Sequence, residues 1–151
     1  MKNLRHHALY FSGAFILLLI FANLNSYFTN LNAQESKNSE PSKLLVVWAS
    51  ADREVALKMV YMYTYNAKKR GWFDNVRFLI WGPSSKLISE DTELQDYLKR
   101  MKDEGVELLA CKACADMYGV SVKLEELGVE VKYMGEPLSE MLKSDWVTMT
   151  F

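Results

Sequence analysis

Cysteine chemistry dominates what this sequence has to offer. The two cysteines of the 151 residues stand together in Cys111-Lys112-Ala113-Cys114. A thiolate is a nucleophile, a redox partner and a metal ligand, and its environment decides which of these it becomes. The residues before the pair, 106–110 (VELLA), form an apolar run of strand type, and residues 111–118 end at Gly119 as a short helix does. Cys111 is therefore expected where a strand ends and a helix begins. The first N–H groups of a helix lack partners and carry partial positive charge, which favours a thiolate placed against them. Lys112 adds a charge beside it. The reading predicts Cys111 open to solvent and Cys114, about one turn on, facing inward with Tyr118 behind it.

Four roles fit these residues. Cys111 is a nucleophilic or sulfur-carrying thiol, or the two cysteines form a redox disulfide, or they supply half of a metal site. In the fourth, both are small buried hydrophobes without chemistry, which is common for free cysteine. Two thiolates do not complete a tetrahedral site, and His6 and His7 both lie near the amino terminus. A second chain would have to supply the remaining ligands, so no metal is expected, and no cofactor either. A thioredoxin-type disulfide oxidoreductase does not fit. There the motif follows an early strand and faces a proline; here it follows the third strand, and neither Pro83 nor Pro137 stands in that place. Ser50, Ser84 and Ser85 read as turn residues, since no G-x-S-x-G elbow is present. Gly82-Pro83-Ser84-Ser85 is too short for a phosphate loop, and no G-x-G-x-x-G occurs.

The elements that must position the thiols follow from hydrophobic pattern. Strands are expected over 44–49 (LLVVWA), 76–81 (VRFLIW), 106–110, 129–134 and 146–151. Between them come helices over 52–70, from Thr92 to Gly105, 111–118, 121–127 and 137–143. Alternating strands and helices imply a parallel sheet covered on both faces. Asp52 reads as the cap of the long helix, Thr92 with Gln95 as a capping box, and Pro137 as a first helical residue. In the long helix, Val55, Met59 and Met62 form one apolar stripe and Ala56, Val60, Tyr63 and Ala67 another. The Met- and Tyr-rich stretch 59–65 is expected in the core, with surface to spare for a subunit interface. Sheets of this kind place their sites beyond the carboxyl ends of the strands. That rule selects the loops at 50–52, 82–85 and 111–114, and so a pocket built from Ser50, Asp52, Gly82 and Lys112 around Cys111. Trp48 and Trp81, also at strand ends, either pack or line that pocket.

Composition allows one globular domain and something before it. Half of the chain is hydrophobic and a quarter is charged, and the net charge of -1 offers no field for nucleic acid or an anionic membrane. Lys2 and Arg5 precede an apolar run over 8–22 (ALYFSGAFILLLIFA), the pattern of a secretory signal. The run is shorter than the roughly 20 residues of a membrane span, although Tyr27 and Phe28 extend it. The expected organisation is a signal peptide over 1–33 ending at Leu31-Asn32-Ala33, a polar linker over 34–42 (QESKNSEPS), and a domain over 43–151. Export to the periplasm follows, with an inner-membrane anchor over 8–28 as the alternative. Cleavage would take two of the 18 basic residues and none of the 19 acidic ones, moving the charge from -1 to -3 and removing both histidines.

Residues 108–119 (LLACKACADMYG) resemble the cysteine segment of the DsrE/DsrF-like family, a strand ending in Cys followed by a short helix closed by Gly. The opening strand with its turn and long helix is similar as well. So are Trp81-Gly82-Pro83 after the second strand and Gly128-Val129-Glu130-Val131, and the likeness runs from Lys43 to Phe151. The resemblance implies a flavodoxin-like three-layer α/β sandwich with a mostly parallel five-stranded sheet. It implies a homo-oligomer, trimer or hexamer. Some members relay sulfur as a cysteine persulfide between protein partners, which implies a donor and an acceptor protein and a sulfurtransferase-like or carrier role. The relay cysteine of those members matches Cys111; Cys114 has a counterpart in part of the family. Relay members work in the cytoplasm, so export would separate this chain from their partners, and an oxidising compartment favours a Cys111–Cys114 disulfide. The alternative function is a non-catalytic oligomeric binding or scaffold domain with a structural cysteine pair.

Overall fold

The computed structural model describes residues 41–151. The expected leader and all but the last two residues of the expected linker lie outside the described residues. Among the described residues no helix is long and apolar enough to cross a membrane.

Strand β1 (Lys43–Trp48) is buried from its second residue to its last, as a run of consecutive apolar residues requires. It leads into a long helix, α1 (53–69). Asp52 caps α1 by accepting the Val55 N–H at 3.0 Å. Then come β2 (Asn75–Ile80), α2 (Ser84–Glu90), α3 (Thr92–Asp103) and β3 (Glu107–Cys111). The chain continues through α4 (Lys112–Tyr118), α5 (Ser121–Glu126), β4 (Glu130–Lys132), α6 (Gly135–Leu142) and β5 (Trp146–Thr150). The five strands form one all-parallel sheet in the order β4-β3-β2-β1-β5. The layers are those of flavodoxin, whose own strand order is 2-1-3-4-5.

This order fixes where the helices go. From β1 to β4 each step moves the same way across the sheet, and right-handed crossovers put all the intervening helices on one face. The step from β4 to β5 runs back across the whole sheet, so α6 must cross on the other. The packing agrees. Leu44, Val46, Trp48, Phe78, Ile80, Leu108 and Ala110 join residues of α1 to α5 in one buried cluster. The alternate residues Leu45, Val47, Leu79, Leu109 and Cys111 join Met134 and Met141 in a second. Among the described residues, α6 is the helix that covers this second face.

Several expected details differ. A π-helical turn, Ala56–Val60, interrupts α1. The wider turn brings Val60 and Tyr61 together onto the sheet. Tyr61 then stands edge-on to Trp48 and Phe78, each at 5.3 Å between ring centres. Met59 and Met62, expected in the core, are half exposed for the same reason. Helix α2 was hidden by its Gly-Pro-Ser start. There the Ser84 hydroxyl takes the Trp81 N–H at 3.1 Å and donates to the Trp48 carbonyl at 2.6 Å, tying the ends of β1 and β2. The cap of α3 is Asp91 rather than Thr92, and the Gln95 side chain donates back to the carbonyls of Ile88 and Ser89. Helix α6 starts at Gly135, which makes Pro137 its third residue.

Asp91 accepts the Leu94 N–H at 3.0 Å and the Arg53 guanidinium at 2.7 Å, joining α1 to α3. The Leu94 N–H first, and then Arg53, hold its carboxyl below the usual carboxylate range. A depressed pKa gives stability that is present above the unfolded value and lost as pH falls through the folded one. Asp91→Ala is expected to cost about 1 kcal/mol, read as a lower urea midpoint at neutral pH. The gap between variant and parent should close in acid. An unchanged midpoint at neutral pH would contradict the cap.

Candidate functional site

Cys111 is the last residue of β3 and the residue before α4, with the extended backbone (φ -73, ψ 109) of a helix cap. Its direction follows from the strand. Leu109 faces α6, so two residues on Cys111 does too. The outcome corrects the expected exposure of Cys111. Cys111 is buried, at 5% of its surface, and Cys114 is half buried against the same cluster. The inward residue of α4 is Ala115, fully buried on the opposite face of the sheet.

Burial does not close Cys111 off. It lines a cavity of about 490 Å³ together with Trp81 from the end of β2, Ala113, the connection after β4 and the first turn of α6. The connection contributes Tyr133 and Met134, and the first turn of α6 contributes Gly135, Glu136 and Pro137. Trp48, the other strand-end tryptophan, is buried in the core instead. A second cavity of about 290 Å³ adjoins the first, sharing Met134 and Pro137, and extends along α6 past Glu140 and Met141 to Arg77 and Trp146.

Burial pushes the Cys114 thiol up from its ordinary range. Hydrogen bonding with the Cys111 side chain raises it further, and the backbone N–H of Gly82 draws it part of the way back. Both cysteines pack in the same apolar cluster on the α6 side of the sheet. Gly82 has φ +68, a left-handed conformation that suits a residue without Cβ.

Lys112 does not turn its charge onto the thiols. Its ammonium pairs with Asp116 at 2.8 Å, one turn along α4, and lies 6.0 Å from the centre of the Tyr133 ring. Hydrogen bonding to Asp116 raises the Lys112 pKa, and the same bond, helped by Ser121, lowers that of Asp116. Of the other expected pocket residues, Asp52 is occupied as the α1 cap. The Ser50 backbone N–H donates to the Phe151 carbonyl at 3.1 Å, and its hydroxyl is buried without a hydrogen-bond partner. Neither residue lines the cavity at Cys111. The residues that do, Tyr133 to Pro137, were missed. The rule of strand carboxyl ends applies equally to β4, which pairs with β3 so that Lys132 stands opposite Cys111. Among the described residues no group of three or more His, Cys, Asp or Glu side chains converges.

The family model described as the DsrE/DsrF-like family matches residues 72–151, which include both cysteines and the cavity. This chain belongs to the DsrE/DsrF-like family. A solved structure from Bacteroides thetaiotaomicron, a conserved protein of unknown function called BT1422, is 34% identical, with a TM-score of 0.71. The match covers 73% of this chain and 95% of that one. The ychN protein from E. coli is 19% identical over 73% of this chain and 99% of its own, with a TM-score of 0.58, a likeness that shows the fold. No curated protein matches the chain.

In this DsrE/DsrF-like domain the raised Cys114 thiol has a measurable consequence. Burial is the largest cause of the shift, and it remains in Cys111→Ser. Alkylation of Cys114 in that variant should lag behind free cysteine near neutral pH and catch up only in alkali. A rate that follows free cysteine at every pH would contradict the burial argument.

Proposed function

We propose that this DsrE/DsrF-like protein handles sulfur through Cys111, as a persulfide or a mixed disulfide, with Cys114 as the thiol that resolves it. One observation carries the reading: Cys111, at the end of β3, lines a cavity, and Cys114 packs against the same apolar cluster one turn on. A structural pair needs no cavity in front of it.

The chemistry balances with a persulfide as donor. The Cys111 thiolate attacks the outer sulfur of R–S–SH, the sulfur–sulfur bond breaks, and R–S⁻ leaves and takes up a proton. Cys111 then holds the outer sulfur as Cys111–S–SH. An acceptor thiol can attack that outer sulfur and restore the Cys111 thiolate. If no acceptor arrives, Cys114 attacks the inner sulfur and expels hydrosulfide. That step oxidises two thiols to the Cys111–Cys114 disulfide and reduces the outer sulfur to sulfide. A Cys114 that keeps its proton near neutral pH favours the carrier state over this release.

The setting is proposed on separate grounds. The sequence pattern over 1–33 supports export to the periplasm, and family resemblance supports a homo-trimer or hexamer with protein donors and acceptors. Half-exposed Met59 and Met62 on α1 offer apolar surface for such contacts. The competing reading, a scaffold domain with an inert pair, draws on the 5% exposure of Cys111.

Intact-mass measurement after exposure to an organic persulfide tests the proposal. The parent protein should gain one sulfur atom and, with time, lose it together with two hydrogens. Cys111→Ser should gain none, and Cys114→Ser should hold the added sulfur several-fold longer than the parent. Equal uptake by Cys111→Ser, or no uptake by any form before unfolding, would favour the scaffold.

A further inference from the structure

We propose that the cavity in front of Cys111 selects its sulfur donor by charge. It takes an organic persulfide or disulfide whose substituent is uncharged and apolar, and it turns away anionic donors. The inference rests on Cys111 being the working thiol.

Size and lining come first. About 490 Å³ is within the usual range of small-molecule sites, roughly 300–1,000 Å³. Trp81, Tyr133, Met134 and Pro137 give it aromatic and apolar walls. Sulfur and apolar groups gain contact energy against such rings, whereas a sulfonate or carboxylate gains nothing there to replace its hydration.

The surrounding charges decide the sign. The cations close to the cavity are each committed to a carboxylate. Lys112 pairs with Asp116 at 2.8 Å, Lys132 with Glu130 at 2.8 Å, and Arg77, in the adjoining cavity, with Glu107 at 2.6 Å. Glu136 on the cavity wall and Glu140, one turn further along α6, make no ion pair among the described residues. The start of α6 is the remaining positive feature. Its own first-turn Glu136 already faces it, and Pro137 removes one of its N–H groups. A donor approaching Cys111 therefore meets a net negative field.

The covalent step is the one balanced above. A disulfide R–S–S–R serves as a probe of the same approach: the Cys111 thiolate bonds to one sulfur and R–S⁻ leaves, carrying the electron pair of the broken bond.

Two aromatic disulfides that release a chromophore on reaction separate the possibilities, neutral dithiodipyridine and dianionic dithiobis(nitrobenzoate). Each is reacted with the full chain carrying Cys114→Ser, and each rate is divided by the same reagent's rate with mercaptoethanol. The normalised rates should favour the neutral reagent by about tenfold at low salt, the size expected of one or two screened charge contacts. Glu136→Gln and high salt should each shrink that preference. Trp81→Ala should slow the neutral reagent while leaving the small alkylator iodoacetamide unaffected. Equal normalised rates, or a preference for the dianion, would overturn charge selection while leaving Cys111 as the working thiol. If neither reagent nor iodoacetamide reacts before unfolding, both the selection and the function it rests on are lost.

Discussion

A parallel strand returns its connecting helix to the sheet with one hand only, and in this chain that rule makes an asymmetric molecule. With the order β4-β3-β2-β1-β5, the first three crossovers load one face of the sheet and the last crosses the other. One face is sealed by α1 to α5 over Trp48, Tyr61 and Phe78. The opposite face has α6. Because side chains alternate along β3, Leu109 and Cys111 fall on the α6 side while Leu108 and Ala110 fall on the other. A shift of one residue in β3 would carry the thiol into the closed core. The place of the site is thus a property of strand register before it is a property of any loop.

The thiol pair shows how burial and access can coexist. Cys111 has little exposed surface, yet it borders a cavity lined by Trp81, Tyr133, Met134 and the first turn of α6. Cys114 packs against the cluster that contains Cys111, and burial raises its thiol pKa. Desolvation favours the protonated form of Cys114. The charge arrangement belongs to the same design. Lys112, beside the thiols in sequence, spends its charge on Asp116 and steadies α4.

Much of this was legible in the residues. A consecutive apolar run marked β1, interrupted or alternating apolar patterns marked the other four strands, and Gly119 and Gly128 marked the ends of the two short helices. The alternation of elements gave the parallel sheet, and the cysteine segment pointed to the family. What was hidden depended on non-local packing. The π-helical turn at 56–60 leaves no trace in the spacing of Ala56 and Val60, yet it moved Tyr61 inward and Met59 outward. The exposure of Cys111 was misjudged because the end of a strand was equated with the surface, whereas α6 packs there from far along the chain. Ser50 and Asp52 were grouped with the thiols because their loop lies at the same edge of the sheet. The edge runs through several strands, and the cavity lies on the β2-β3-β4 side of it. Tyr133 to Pro137 could have been named from strand adjacency once β4 was placed next to β3.

The central claim is that sulfur arrives first at Cys111. Trypsin cuts after Lys112 and so separates the two cysteines into different peptides. Peptide mapping of the native protein after brief exposure to a limiting amount of an organic persulfide, with free thiols blocked before digestion, locates the first added sulfur. It should appear on the peptide ending in Cys111-Lys112, with the Cys114 peptide blocked as a simple thiol. Sulfur found first on the Cys114 peptide, or on neither while the fold is intact, would contradict the account.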